Sequence, residues 1–214
     1  MIGKLQYISQ GATPNEHLEN IQKACASGVA WVQLRLKDLD DETLLKTAQQ
    51  AREITAHFQT RLIINDHYKI AKQVKADGVH LGKTDSCPLE VRAYLGKSYT
   101  IGGTANTLQD CKLLVGKKVD YIGLGPFKFT ETKKNLSPVL GVLGYQLIIE
   151  ELKSEIPVIA IGGIKLNDIP EIMDTGVYGV AMSKEITQNF NTVHTIRKAF
   201  GSLDQEQVYK LNKE

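Results

Sequence analysis

The hexapeptide Asp77-Gly-Val-His-Leu-Gly82 recurs along the chain as Asp120-Tyr-Ile-Gly-Leu-Gly125, with the spacing D-x-[VI]-x-L-G in both places. Each copy follows a helix-compatible segment and contains an apolar run that is typical of a buried strand. Repetition of a strand unit is expected in a barrel built from similar βα modules, although an open, doubly wound sheet is also compatible with it.

The number of predicted strands favours the barrel. Short Val/Ile/Leu-rich runs alternate with longer amphipathic segments through most of the chain, which predicts a single-domain α/β protein with a (β/α)8 TIM barrel over residues 1–200. The polar segment 201–214 is predicted to be a frayed helix or a disordered tail. The predicted strands are Leu5–Ser9, Val29–Arg35, Leu62–Asp66, Gly78–Gly82, Thr100–Thr104, Tyr121–Pro126, Val158–Gly163 and Gly179–Ser183.

The composition is that of ordinary globular proteins, since 42% of the 214 residues are hydrophobic and 23% are charged. The formal net charge is +2 and its carriers are scattered, which argues against a nucleic-acid partner and favours small anionic ligands. There is no apolar run long enough to cross a membrane and no export signal, so a cytoplasmic location is expected. The three cysteines form no CxxC motif, which favours reduced thiols over a zinc site. The sequence does not determine the oligomeric state and is compatible with a homo-oligomer.

Polar residues and glycines follow most of the predicted strands. In a TIM barrel the loops after the strands form one face, and catalytic groups gather there. The sequence therefore predicts a site at that face, with candidate residues Gln33, Arg35, Lys37, Asn65, Asp66, Asp85, Thr104, Asn106, Thr130, Thr132, Lys133, Gly162 and Gly163.

The second predicted strand carries polar residues at every other position, Gln33, Arg35 and Lys37, so these side chains share one face. An inward face that carries two cations is not part of a hydrophobic core, because burial of an unpaired charge costs about 3 kcal/mol or more of folding free energy. The alternative is the solvent face of an edge strand, but a closed barrel has no edges.

Asp66 and Asp85 come after neighbouring predicted strands and are able to approach one point. Two carboxylates without a cation between them repel and raise one pKa, whereas Mg²⁺ removes the repulsion and keeps coordination sites for a phosphate ligand. Each aspartate also precedes a predicted helix, so the alternative role is a helix N-cap.

The segment Ala160-Ile-Gly162-Gly163 is predicted to be a strand that ends in a glycine turn before a helix. Such a turn brings backbone N–H groups close to a phosphate, and barrels often hold phosphate after strands seven and eight. The eighth predicted strand ends in Ser183 and Lys184, a hydroxyl and an ammonium group. Together these residues predict a monophosphate site.

The stretch GPFKFTETKK, residues 125–134, follows the sixth predicted strand and carries Thr130, Thr132 and Lys133. Taken alone it is compatible with a solvated surface loop. If Arg35, Lys37 and a metal lie across the mouth of the barrel, this stretch is expected to form one wall of a site for a polyanion. The sequence therefore predicts a pyrophosphate site near strands two to six, in addition to the monophosphate site.

These motifs together resemble the thiamine-phosphate synthase family. VQLRLKD, LIINDHYKIA, ADGVHLGKTD, DYIGLGPFKFTETKK, PVIAIGGI and GVAMS occur in that family's order and spacing, between Lys4 and Phe200. The resemblance implies a transferase of thiamine biosynthesis that joins hydroxymethylpyrimidine pyrophosphate to thiazole phosphate, or to its carboxylate, and releases pyrophosphate. It also implies Mg²⁺ as the cofactor and an early break of the C–O bond, so that the protein neutralises a departing pyrophosphate.

The resemblance implies a role for each candidate residue. Gln33 would contact the pyrimidine, and Asp66 and Asp85 would hold Mg²⁺. The pyrophosphate would be bound by Arg35, Lys37, Asn65 and Lys133. The substrate loop would contain Thr130 and Thr132, and the thiazole phosphate would be bound by Gly163 and the Ser183 region. The residues expected to be catalytic are Arg35, Lys37, Thr104 and Lys133.

Three positions depart from the family pattern, which commonly has Ser at Thr104, Gln at Lys83 and His at Asn106. Thr104 keeps the hydroxyl, whereas Lys83 adds a charge near the predicted metal. Asn106 bears on an alternative function, because the related thiazole tautomerase uses a histidine there for proton transfer, which Asn cannot supply. A second alternative is a barrel that binds thiamine-related ligands without turnover, and retention of both aspartates argues against it.

Overall fold

Eight parallel strands form a closed barrel in the part of the chain that the computed structural model describes, residues 2–37, 39–129 and 138–211. Each strand pairs with the next one along the chain, and the last pairs with the first. The strands are β1 Leu5–Ile8, β2 Trp31–Leu34, β3 Arg61–Asn65, β4 Gly78–Leu81, β5 Thr100–Ala105, β6 Tyr121–Leu124, β7 Val158–Ile161 and β8 Gly179–Met182. The predicted TIM barrel is confirmed, and every predicted strand is found.

Helices alternate with the strands and pack around the barrel. Several begin at residues that the sequence marks as caps: the Thr13 hydroxyl accepts from the Glu16 N–H, and the Asp40 carboxylate accepts from the Thr43 N–H at 2.8 Å. The described helices are α1 Pro14–Ala26, α2 Asp41–His57, α3 Tyr68–Gln73, α4 Pro88–Leu95, α5 Leu108–Gly116, α6 Gly141–Leu152, α7 Ile169–Met173, α8 Lys184–Gln188 and α9 Thr192–Leu211. A short 3-10 turn, Leu166–Asp168, precedes α7.

The interior of the barrel identifies which strand residues point inward. A buried cluster contains Trp31 of β2, Ile63 of β3 and Ala181 of β8. Side chains alternate along a strand, so the residues two positions later also point inward, nearer the carboxyl ends. Those residues include Gln33, Asn65 and Ser183. Strand periodicity therefore directs predicted site residues into the mouth of the barrel.

Two interior glycines leave room for large polar side chains. A Cβ atom at Gly102 would lie 2.1 Å from Cζ of Tyr121, and one at Gly123 would lie 3.0 Å from Cε1 of His80. Both distances are too short for ordinary packing, and the first would force Tyr121 to move. The glycines therefore allow His80 and Tyr121 to occupy the barrel interior.

The last helix crosses the predicted boundary at residue 200. It buries Val193, Ile196 and Phe200 against the barrel and continues to Leu211. The division into a barrel over residues 1–200 and a tail over 201–214 stays a prediction. None of the described helices has both the length and the apolar character needed to cross a membrane.

Candidate active site

The positive side of the site lies directly after β2. Arg35 is half-buried and Lys37 is exposed, while Gln33 is buried inside the barrel. Burial lowers the pKa of the Arg35 guanidinium, and the nearby Asp66 charge opposes this shift. The edge-strand alternative for these residues is wrong, because β2 pairs with both β1 and β3 in a closed sheet.

The carboxyl groups of Asp66 and Asp85 meet in a hydrogen bond at the ends of β3 and β4. Burial, this hydrogen bond and the Asp85 charge, in that order, raise the pKa of Asp66 to about 7, although Lys37 and Arg35 lower it. The four residues therefore form one charged cluster. A cation bound between the two carboxyl groups would offset the repulsion and favour the ionised form of Asp66.

Backbone contacts hold both aspartates in place. Asp66 has a left-handed backbone with φ of 64°, and its N–H donates to the His80 carbonyl at 2.8 Å. The Asp85 carboxylate accepts from the Gly82 N–H at 2.5 Å. The helix-cap alternatives are wrong, because α3 is preceded by His67 and α4 by Cys87 at the capping positions.

The two aspartates have the chemistry of a magnesium site. Mg²⁺ prefers oxygen ligands and is commonly held by one or two carboxylates, with water and phosphate oxygens completing its coordination. In the described ranges there is no group of three or more His, Cys, Asp and Glu side chains that could hold a metal. A cation at this position would therefore depend on Asp66 and Asp85 together with oxygens of the substrate.

A buried polar chain leads to Thr104, and the sequence did not predict it. His80 Nδ1 lies 3.0 Å from the Tyr121 hydroxyl, and His80 Nε2 lies 2.9 Å from the Thr104 hydroxyl. Burial raises the pKa of Tyr121 far above its usual range, so the hydroxyl stays protonated. The repeated hexapeptide did contain an indication of this contact. His80 in the first copy and Gly123 in the second occupy the same position, and the absence of a side chain at Gly123 leaves room for the His80 ring.

The glycine turn after β7 has the predicted geometry. Gly162 and Gly163 have φ values of 96° and 69°, which favour glycine. The segment after β6 continues along this turn, since Lys128 N–H donates to the Gly162 carbonyl at 2.9 Å. A Cβ atom at Gly163 would lie 2.6 Å from the Phe129 carbonyl oxygen. The Lys128 ammonium also pairs with Asp168 at 2.6 Å, which ties the two segments together.

Ser183 directly follows β8 and has an unsatisfied hydroxyl. Its Oγ atom is buried and has no hydrogen-bond partner within the described part of the chain. A buried hydroxyl that lacks a partner is unfavourable, so a ligand oxygen at this position would satisfy it. Thr130, Thr132 and Lys133 of the predicted loop lie outside the described residues.

At two of the departures from the family pattern, the side chain has a partner in a neighbouring βα unit. The Lys83 ammonium pairs with the Asp110 carboxylate of α5 at 2.6 Å, so its charge is neutralised at the start of that helix. The Asn106 side chain is buried, and its amide donates to the Gly125 carbonyl. Both partners come from other βα units, and the local sequence around Lys83 and Asn106 gives no signal for them.

A cleft of about 310 Å³ opens beside Arg35, between the loops that follow β1 and β2. The sequence did not predict any role for the first of these loops. The cleft is lined by Ser9, Gln10, Gly11, Ala12, Thr13, Pro14, His17, Arg35, Leu36, Lys37 and Leu39.

The family model for thiamine monophosphate synthase matches residues 5–186 of the chain. The chain belongs to the thiamine-phosphate synthase family. It is 46% identical over 199 residues to the thiamine-phosphate synthase of Flavobacterium psychrophilum, covering 92% of this chain and 97% of that protein. It is also 46% identical over 187 residues to the thiamine-phosphate synthase of Bacteroides fragilis, covering 86% and 92%. The predicted family and the transferase class are confirmed.

Solved structures support the same fold. The thiamine phosphate pyrophosphorylase of Pyrococcus furiosus superposes with a TM-score of 0.78 at 24% identity, covering 92% of this chain and 96% of that one. The pyrophosphorylase of Bacteroides thetaiotaomicron gives a TM-score of 0.67 at 14% identity, covering 92% and 98%. At these identities the likeness describes the barrel, whereas the family rests on the sequence matches.

Proposed function

We propose that the chain joins hydroxymethylpyrimidine pyrophosphate to thiazole phosphate and releases pyrophosphate, with Mg²⁺ as cofactor. The observation that carries the proposal is the charged cluster of Arg35, Lys37, Asp66 and Asp85 at the mouth of the barrel. It combines two cations for phosphate oxygens with a carboxylate pair suited to a divalent ion. Membership of the family supports the same reaction.

The residues of the cluster act on the leaving group. Arg35 and Lys37 offset the negative charge that grows on pyrophosphate as the C–O bond breaks, and the preorganised barrel mouth lowers the cost of reorganisation. Asp66 and Asp85 would hold Mg²⁺, which would supply further positive charge to the pyrophosphate when bound. Gln33, buried below them, orients the pyrimidine ring.

The second substrate binds on the opposite side of the mouth. The left-handed turn at Gly162 and Gly163 allows main-chain N–H groups to approach a phosphate, and the unsatisfied Ser183 hydroxyl offers a further donor. The thiazole phosphate is thereby placed to attack the pyrimidine methylene carbon as pyrophosphate departs. This mechanism requires no protein nucleophile.

The tautomerase alternative is less well supported. That reaction needs a group that transfers a proton at the position of Asn106, and an amide does not do so near neutral pH. Here the Asn106 amide already donates to the Gly125 carbonyl. The non-catalytic alternative leaves the carboxylate pair unexplained, because ligand binding alone does not require a metal site.

The experiment that tests the proposal is an assay with both substrates and Mg²⁺, followed by detection of thiamine phosphate by mass spectrometry. We expect product to form only when both substrates and Mg²⁺ are present. A parallel reaction with thiazole carboxylate phosphate alone should show no isomerisation above background. Isomerisation without formation of thiamine phosphate would instead support the tautomerase, and no reaction in either assay would support a binding protein.

A further inference from the structure

The loop that follows β1 is linked by side-chain hydrogen bonds both to α1 and to the backbone of Arg35. The Ser9 hydroxyl accepts from the Arg35 backbone N–H at 3.1 Å and lies 2.8 Å from His17 Nδ1. His17 Nε2 lies 3.1 Å from the Gly11 carbonyl oxygen. Ser9 and His17 are both buried. These contacts connect the first turn of α1 to the residue that follows β2.

The chemistry of the partners fixes the direction of every hydrogen bond. The Gly11 carbonyl only accepts, so His17 Nε2 carries the proton and donates. His17 Nδ1 is then an acceptor in the neutral ring, and the Ser9 hydroxyl donates to it. The Ser9 oxygen remains free to accept from the Arg35 N–H. One tautomer of neutral His17 therefore satisfies every donor and acceptor in the series of hydrogen bonds from Gly11 through His17 and Ser9 to Arg35.

The surroundings of His17 favour that neutral form. Burial lowers the pKa of His17, and the Arg35 charge lowers it further, whereas the Gly11 hydrogen bond and Glu16 raise it. Gly11 is also required for this geometry. A Cβ atom there would lie 2.9 Å from the His17 backbone nitrogen, so a side chain would push the loop away from α1.

We propose that His17 is a positioning residue for the pyrophosphate site. Through Ser9 it fixes the backbone at Arg35, and thereby the direction in which the guanidinium enters the mouth of the barrel. The inference rests on the proposed function, in which Arg35 binds pyrophosphate. Ser9 and His17 also line the 310 Å³ cleft beside Arg35, so a change in either would alter the wall of the site.

Two substitutions of His17 separate positioning from simple packing. In His17→Asn the side-chain amide ends near the position of Nδ1 and is able to accept from Ser9. In His17→Gln the amide ends near the position of Nε2 and is able to donate to Gly11 but not to hold Ser9. We expect His17→Gln and Ser9→Ala to raise the KM for hydroxymethylpyrimidine pyrophosphate by about fivefold, the effect of one hydrogen bond. The KM for thiazole phosphate should not change, and His17→Asn should be close to wild type.

Asn20→Ala is the matched control. Asn20 also joins α1 to the same loop, since its amide donates to the Gln10 carbonyl at 2.8 Å, but it does not contact Ser9 or Arg35. Its loss should lower thermal stability without changing the KM for the pyrophosphate substrate. Equal effects of His17→Asn and His17→Gln, or an equal KM increase in Asn20→Ala, would overturn the proposal.

Binding of inorganic pyrophosphate, measured by calorimetry in the presence of Mg²⁺, tests the inference without turnover. We expect the Kd to rise about fivefold in His17→Gln and Ser9→Ala and to stay near wild type in His17→Asn. If these differences are found but wild type forms no thiamine phosphate, the positioning role stands and the proposed reaction is wrong. If turnover is found and the Kd values are all alike, only the positioning role is wrong.

Discussion

Asp66 combines a left-handed backbone with a carboxyl group that shares a hydrogen bond with Asp85. Neither feature is favourable by itself. A non-glycine residue with positive φ is uncommon, and a carboxyl group whose pKa is raised to about 7 resists ionisation in the folded protein. Such local cost is typical of a binding site, where a ligand supplies the missing stabilisation.

The carboxylate pair makes a prediction about metal dependence. We expect Asp66→Asn and Asp85→Asn each to raise the Mg²⁺ concentration for half-maximal activity and to lower the maximal rate. The double variant should lose little more than the worse single variant, because residues that act as a unit are not additive. A Mg²⁺ titration of activity measures both quantities. Curves like wild type for both single variants would contradict the metal site.

Asp66 also predicts a change in stability with pH. Its pKa rises from 3.8 to about 7 on folding, so the unfolded state ionises first as pH rises. The folded state is therefore progressively destabilised between these values, and the full penalty is present above the folded pKa. Asp66→Asn removes this penalty, and Asn tolerates the left-handed conformation. In EDTA, the variant should have a higher Tm than wild type at pH 8 and a smaller advantage at pH 5.

Asp40→Asn is the control for that experiment. Asp40 caps α2, and its hydrogen bonds to Thr43 lower its pKa. The pKa shift of Asp40 on folding is therefore opposite in direction to that of Asp66. Because Asn caps a helix about as well as Asp, this variant should not gain stability at pH 8. A similar gain in both variants would indicate a general effect of net charge rather than relief of the carboxylate pair.

Among the structural elements of the site, the turn after β7 is closely restricted by the segment after β6. Gly163→Ala would place a Cβ atom 2.6 Å from the Phe129 carbonyl oxygen while φ is 69°. We expect the turn to shift and the KM for thiazole phosphate to rise by about tenfold or more, the order of one misplaced charged hydrogen bond. Initial rates at varied thiazole phosphate measure this effect, with the KM for the other substrate as an internal reference.

Gly96→Ala separates backbone strain from steric conflict. Gly96 follows α4 with φ of 92°, but a Cβ atom there would have no neighbour within 4 Å. With ψ of −179°, this backbone conformation is almost restricted to glycine, so the substitution should cost about 1–3 kcal/mol of unfolding free energy through backbone strain and leave both KM values unchanged. If it raised the KM for thiazole phosphate as much as Gly163→Ala, the role of the β7 turn would not be local.

The elements were predictable from sequence because each strand carries its own apolar run. The first and last residues of each strand were predicted less accurately. The second strand is predicted to begin at Val29, whereas β2 begins at Trp31, where pairing with Gln6 of β1 starts. At the site, strand alternation predicted that Gln33 would point inward. It could not predict that His80 bonds Thr104 and Tyr121, because those partners come from β5 and β6 and the contact depends on closure of the barrel.

At the scale of the whole molecule, truncation within α9 tests the predicted boundary of the barrel at residue 200. Truncation after Phe200 keeps Val193, Ile196 and Phe200 and removes the predicted tail, so we expect stability and activity close to wild type. Truncation after Asn191 removes Val193, Ile196 and Phe200 from the core. Loss of three large buried side chains should cost several kcal/mol, about 2 or more for each. Thermal denaturation and the coupled assay measure both variants, and equal behaviour would contradict the predicted boundary.

The pairing of β1 with β8 has a consequence for synthesis on the ribosome. The ring closes through contacts such as Leu5 with Val180, which join the strand of the barrel that is translated first to the strand that is translated last. Until β8 leaves the exit tunnel, the nascent sheet has open edges on β1 and on the newest strand, and such edges promote association between chains. We therefore expect polysome-bound chains stalled before β8 to recruit chaperones, and chains stalled well beyond it to be released from them.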